Sequence, residues 1–135
     1  MSQPPQPQTL EQRRAQHALR QIKVLQNQNV GHYVSYVSAM PAVIVMNGLG
    51  QALAMQLAKA QNDQQNPHYR LYHQVASWLS EQLADLQGHP DHVIEQLMKQ
   101  NQQVYLRAQA ESLAYLSWLK QFARAYLKET EGNND

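Results

Sequence analysis

No cysteine occurs among the 135 residues, which excludes a disulfide framework, thiolate metal sites and thiol catalysis. Glycine is scarce, with five in the chain, and no run alternates with period two between glycine-rich turns, so strand signals are missing. Long apolar runs are missing too. The best one, residues 42–58, is interrupted by Asn47, Gln51 and two glycines and falls short of the roughly 20 apolar residues a membrane span needs. The N-terminus has no charged region followed by an apolar stretch, so nothing resembles a signal peptide and a cytoplasmic protein without a membrane partner is expected. Charge of one sign is lacking as well: the formal net charge is +1 and the sequence pI about 8.1. Any nucleic-acid binding therefore has to rest on where the cations lie.

What is present is helical pattern. A hydrophobic content of 43% allows one core, and a chain of this length is most often one domain. Residues 1–8, prolines among glutamines, have almost nothing to bury and are expected to be disordered. Thr9, with Gln12 three residues on, forms a capping-box pattern. In the helix it opens, Ala15, Ala18, Leu19, Ile22 and Leu25 share one face, and Arg13, Gln16, His17, Arg20 and Lys23 the opposite one. A short helix over 32–40 follows. Pro41 is expected at the first position of a central helix over 41–60, where its missing N–H costs nothing. In that helix Ala42, Val45, Met46, Leu49, Leu53 and Leu57 share a face. Gly48 and Gly50 each cost about 1 kcal/mol in a helix interior and so call for a second helix crossing close by.

Pro67 starts a helix carrying Tyr69, Tyr72, Val75, Ala76, Trp78, Leu79 and Leu83. It is expected to end near Gly88. Asp91 caps a short helix with Val93, Ile94, Leu97 and Met98, and a last helix spans about 101–128 with a broad apolar arc. The expected fold is an all-α, single-domain bundle of six helices over 9–129, followed by a disordered tail at 130–135.

Chemistry finds little purchase in this pattern. His89 and His92 flank Pro90, His68 and His73 are five apart and do not share a helical face, and no Glu-x-x-His pair exists, so no metal site is expected. Glu81, Asp85, Asp91, Glu95 and Glu111 fall on otherwise polar faces, where a carboxylate is solvated. No Ser/His/Asp order or Gly-x-Ser-x-Gly elbow is present. Gly48-Leu49-Gly50 lacks the lysine and the strand-loop-helix setting of a phosphate loop. Tyr69, Tyr72, Trp78, Tyr115, Trp118 and Tyr126 sit at core spacing. The expectation is a non-enzyme with no catalytic residue, cofactor or metal. Arg13, Arg14, Arg20 and Lys23 on one helix and Arg107, Lys120, Arg124 and Lys128 on another fit two readings: solvated helix faces, or surfaces that track phosphates.

Five segments then match a known pattern in order: residues 10–15 (LEQRRA), 33–37 (YVSYV), 40–53 (MPAVIVMNGLGQAL), 105–108 (YLRA) and 114–123 (AYLSWLKQFA). Together they resemble the small α-helical subunit of the type III-B CRISPR (Cmr) effector complex over nearly the whole chain except its tails. The Asn-Gly-Leu-Gly-Gln core is the most specific of them. The resemblance implies six helices and no catalysis, with copies stacking head to tail beside backbone subunits that hold a guide RNA. The large subunit and other subunits would be its partners in antiviral defence. It also implies that the basic faces neutralise guide or target RNA phosphates, assigning RNA contact to Arg13, Arg14, Arg20 and Lys23 and to Arg107, Lys120, Arg124 and Lys128. A protein-interaction bundle without nucleic-acid contact is the alternative, and a bundle enzyme with a core metal a third.

Overall fold

The Thr9 hydroxyl accepts from the Gln12 N–H at 3.0 Å while the Gln12 carboxamide oxygen accepts from the Thr9 N–H at 2.8 Å. This reciprocal cap, the one the sequence pattern predicts, opens the first helix. The computed structural model describes residues 6–127, within which six α-helices and two single 3₁₀ turns occur and no strand. The helices are α1 (Leu10–Leu25), α2 (Tyr33–Asn47), α3 (Leu49–Ala60), α4 (Pro67–Gln82), α5 (Val93–Met98) and α6 (Gln102–Tyr126). Asn66 and Asn101 cap α4 and α6 through their side-chain oxygens, and Pro67 stands in the first turn of α4 as its fixed φ favours. Gln6, Pro7 and Gln8 are exposed and non-helical. The rest of both expected tails, together with Lys128, lies outside the described residues.

The central helix departs from expectation. Pro41 does not begin it but sits inside α2, and the division falls seven residues later, at Gly48. There φ is +84° and ψ 158°, a conformation essentially confined to glycine because a Cβ would collide with the backbone. The break resets the helical phase. Leu49, Ala52 and Leu53 are buried on α3, whereas Val45 and Met46, expected on the same face, are 70% and 82% exposed. Asn47 bonds the Val43 carbonyl of its own helix.

The expected close crossing is real, and it is made by α6. The Tyr105 hydroxyl accepts the Gly50 N–H at 2.8 Å, and the Gln109 side-chain oxygen accepts the Leu49 N–H at 2.9 Å. Two of the orphan donors in the first turn of α3 are thus satisfied by another helix rather than by a cap.

The core joins buried residues of every helix, with Ile22, Tyr33, Met40, Ile44, Leu53, Tyr72, Leu79, Leu97, Tyr115 and Leu119 among them. Trp78 is buried, as its spacing predicts, but Tyr126 is 42% exposed. The most extensive helix pairing is α1 on α6. Its contacts run Arg14 to Glu111, His17 to Tyr115 and Lys23 to Tyr126, so both residue numbers rise together and the first and last helices lie parallel. α4 runs the other way along α1, since Arg13 and Gln16 lie by Glu81 and Gln82 whereas Val24 and Leu25 lie by Tyr69 and Arg70.

Candidate nucleic-acid interface

The eight cations singled out in the sequence divide into groups. Arg13 and Arg20 are exposed on α1 and face α4. With Gln16 they line a cavity of about 290 Å³ whose far wall is Trp78, Glu81 and Gln82. Neither forms an ion pair among the described residues, and their guanidinium groups remain available for a bidentate oxyanion. Lys23 is exposed on the other flank, its Nζ 4.1 Å from the centre of the Tyr126 ring, a cation–π contact.

Arg14 does not belong with them. Its Nε and one terminal nitrogen donate to the two oxygens of Glu111 at 2.6 and 2.8 Å, and the other terminal nitrogen donates to Glu11 at 2.9 Å. The guanidinium is spent on carboxylates, and the Glu111 bond first among the causes holds its pKa above the ordinary arginine value.

On α6, Arg107 is exposed and 3.7 Å from Asp85, while Lys120 and Arg124 have no carboxylate within ion-pair distance among the described residues. Lys120 lies about half a turn round the helix from Glu111, so it points away from the edge that meets α1. The two basic sets are therefore not one surface. Arg13 and Arg20 share a groove, and Lys120 and Arg124 stand on another side of the bundle, while Arg107, one turn before Glu111, is held near Asp85.

Two polar residues behave differently from their sequence reading. Glu111, expected on a solvated face, is 8% exposed and also accepts the Trp78 indole N–H at 2.9 Å. Burial pushes its carboxyl up, but the hydrogen bonds from Arg14 and Trp78 outweigh that and leave the pKa below the usual glutamate value. The signal was available: Glu111 stands within about one helical turn of Ala108 and Tyr115, a lone acid on an apolar arc. His17, expected among the basic residues facing solvent, is buried, with Nδ1 2.6 Å from the Tyr115 hydroxyl and Nε2 3.2 Å from Glu81. With a neutral ring the network closes when Tyr115 donates to Nδ1 and Nε2–H donates to Glu81. Trp78 and Tyr115 stack at 5.5 Å with 11° between planes, and His17 meets both edge-on.

Burial is the leading cause that lowers the pKa of His17, His68 and His73. A histidine whose folded pKa lies below its unfolded value of about 6.5 binds more protons in the unfolded chain. Its share of stability is complete above that value and is lost as pH falls through it towards the folded pKa. Denaturant midpoints measured from pH 8 down to pH 5 are expected to hold steady at first and then drop from about pH 6.5, and His17→Gln is expected to flatten that drop.

No group of three or more His, Asp or Glu side chains that could hold a metal ion occurs among the described residues, and no helix there is long and apolar enough to cross a membrane. What the site offers chemically is hydrogen-bond donation and positive charge along α1.

The chain matches the CRISPR-associated protein (Cas_Cmr5) family over residues 10–126. It is also similar to the crystal structure of a CRISPR-associated Cmr5 family protein from Thermus thermophilus. The TM-score is 0.72 and the identity 25%, over 90% of this chain and 100% of that one. The match spans α1 to α6. With the family pattern and the six-helix fold in agreement over that whole span, the chain belongs to the CRISPR-associated Cmr5 family.

Proposed function

We propose that this protein is a non-catalytic small subunit of the type III-B (Cmr) effector complex, in which its copies stack and its basic groove contacts RNA phosphates. The observation that carries the RNA contact is the pairing of Arg13 and Arg20 on one groove wall, both exposed and neither in an ion pair among the described residues, the Glu81 carboxylate opposite them being met by His17. Arg14, one residue from Arg13, shows what capture by acids looks like in this fold. Lys23, Lys120, Arg124 and Arg107 are secondary candidates, Arg14 is removed, and Lys128 is retained on its sequence alone. Phosphate contact suits the role because it supplies affinity without reading sequence, which guide pairing already provides.

The test uses assembled complexes carrying Arg13→Ala and Arg20→Ala together. Target RNA affinity is expected to fall, and the slope of log affinity against log salt to shrink by about 1.4, taking roughly 0.7 per lost single-strand contact. An unchanged slope would refute this choice of surface. One observation favours the alternative of a purely protein-binding bundle: α2 carries no charged residue yet leaves Val45 and Met46 in solvent, as a docking face would. Crosslinking of labelled target RNA to α1 separates the two readings, because the alternative predicts none.

A further inference from the structure

A second hollow lies further along the same pair of helices, α1 and α4. Because the helices are antiparallel, the later part of α1 faces the start of α4, and there an open cleft of about 450 Å³ is found. That volume is in the range of small-molecule sites. Beside Val24 and Leu25 its lining carries planar and polar side chains, Gln21 from α1 and Tyr69, Arg70, His73 and Gln74 from α4, together with Asp91.

Gln74 is the informative residue. It is 3% exposed, and its side-chain oxygen accepts from the buried Tyr33 hydroxyl. Its amide NH₂ has no acceptor among the described residues, and the residue borders the cleft. A buried donor left unpaired is costly, so the geometry calls for an acceptor supplied from the cleft. The Tyr69 and His73 rings lie 6.1 Å apart at 31°, flat surfaces on one wall. Burial keeps His73 below the ordinary imidazole pKa, so it is neutral near pH 7, and its ring forms no hydrogen bond among the described residues. Arg70 donates to the Gln28 and Gln65 carboxamides and to no carboxylate there. Asp91 accepts from the Tyr69 hydroxyl at 2.6 Å through one oxygen, and its other oxygen lies 3.4 Å from the His89 imidazole.

Carboxamides that read a heterocycle's edge, aromatic rings that stack on its face and a cation beside them form the combination by which unpaired bases are held. The distance along α1 from Arg13 to Val24 is roughly 16 Å at 1.5 Å per residue, so groove and cleft lie within reach of one short strand. We propose that this cleft takes an unpaired base of a single-stranded RNA whose phosphates follow Arg20 and Arg13. The proposal rests on the phosphate-tracking reading of the groove and adds to it a base pocket.

The experiment uses the full chain with labelled octaadenylate and octauridylate, followed by anisotropy and by the amide signals of Gln74. Gln21→Trp, which fills the mouth of the cleft, and His73→Ala are each expected to weaken octamer binding about tenfold, the worth of one stacked base. The salt slope stays unchanged because no phosphate contact is lost. Thermal melts establish that both variants fold, and the Gln74 side-chain NH₂ signal is expected to shift on adding RNA to the unaltered chain. If Arg13→Ala with Arg20→Ala lowers the slope but both cleft variants bind like the unaltered chain, the base pocket fails while the groove stands. Adenosine or uridine monophosphate binding as tightly as the octamers would overturn it as well, by making the cleft a site for free nucleotides.

Discussion

Glu111→Ala is expected to cost about 3 kcal/mol, the low end for breaking a buried ion pair, because Arg14 keeps its Glu11 partner and some exposure to solvent. The loss removes three hydrogen bonds at once. Arg14 forfeits two charge-assisted bonds at 2.6 and 2.8 Å, and the Trp78 indole N–H, in a residue 3% exposed, forfeits its acceptor. For a chain of this size the melting temperature should fall on the order of 10–15 °C. A conservative Glu111→Gln retains an acceptor for Trp78 but not the charge, and is expected to fall between. The double change Arg14→Met with Glu111→Leu removes both charges and replaces them with apolar bulk, which is often close to neutral. It should recover most of the loss of Arg14→Ala or Glu111→Ala alone, apart from the unpaired indole. Equal destabilisation by the double change and the singles, in urea melts, would show that packing rather than the ion pair carries the effect. The same variants sharpen the functional reading, since Arg14 acts on stability and Arg13 and Arg20 on RNA.

Gly48→Ala should cost about 1–3 kcal/mol from backbone strain alone, given a φ of +84° and a ψ of 158° that side-chain-bearing residues rarely adopt. A Cβ there would also approach the Tyr105 hydroxyl to 3.2 Å, and that hydroxyl holds the Gly50 N–H. Gly50 makes the contrast. A Cβ on it would meet the Met98 methyl at 2.6 Å and the Tyr105 hydroxyl at 3.2 Å, but its backbone is ordinary helix, and Met98 is 59% exposed so its flexible end can swing aside. Helix propensity returns up to about 1 kcal/mol against that Tyr105 contact, so Gly50→Ala should cost less than Gly48→Ala. Chemical denaturation of the two variants side by side measures the difference. Equal costs would contradict the assignment of Gly48 as the break and Gly50 as a helical residue.

The two glycines also show how far sequence carried the fold. Local chemistry was legible: the Thr9–Gln12 cap, the Asn66–Pro67 start of α4 and the apolar arc of α6 all depend on residues within a turn or two of one another. Gly48 was harder, because the hydrophobic run continues through it and periodicity alone sees one long helix. Pro41 drew the boundary instead, although Asn47-Gly48 is a turn-forming pair. The cations were legible as residues on two helices, but which of them stand outside ion pairs was not. Arg13 and Arg14 are indistinguishable neighbours in the sequence, and a carboxylate 97 positions away separates a structural arginine from an available one. His17 was misplaced for the same reason, since its partner Tyr115 stands 98 positions on. No window of the sequence short enough to show a helical repeat contains such pairs.

The parallel seating of α1 against α6 reaches beyond the folded molecule. α1 leaves the ribosome well before its main neighbour α6, so it must wait, its apolar stripe bare, until that helix emerges. At about 5–20 residues per second that interval is on the order of 5–20 s, far longer than a helix needs to form. Until then α2 to α5 can assemble only a partial core, and premature termination within α6 would release a chain with a sticky N-terminal segment.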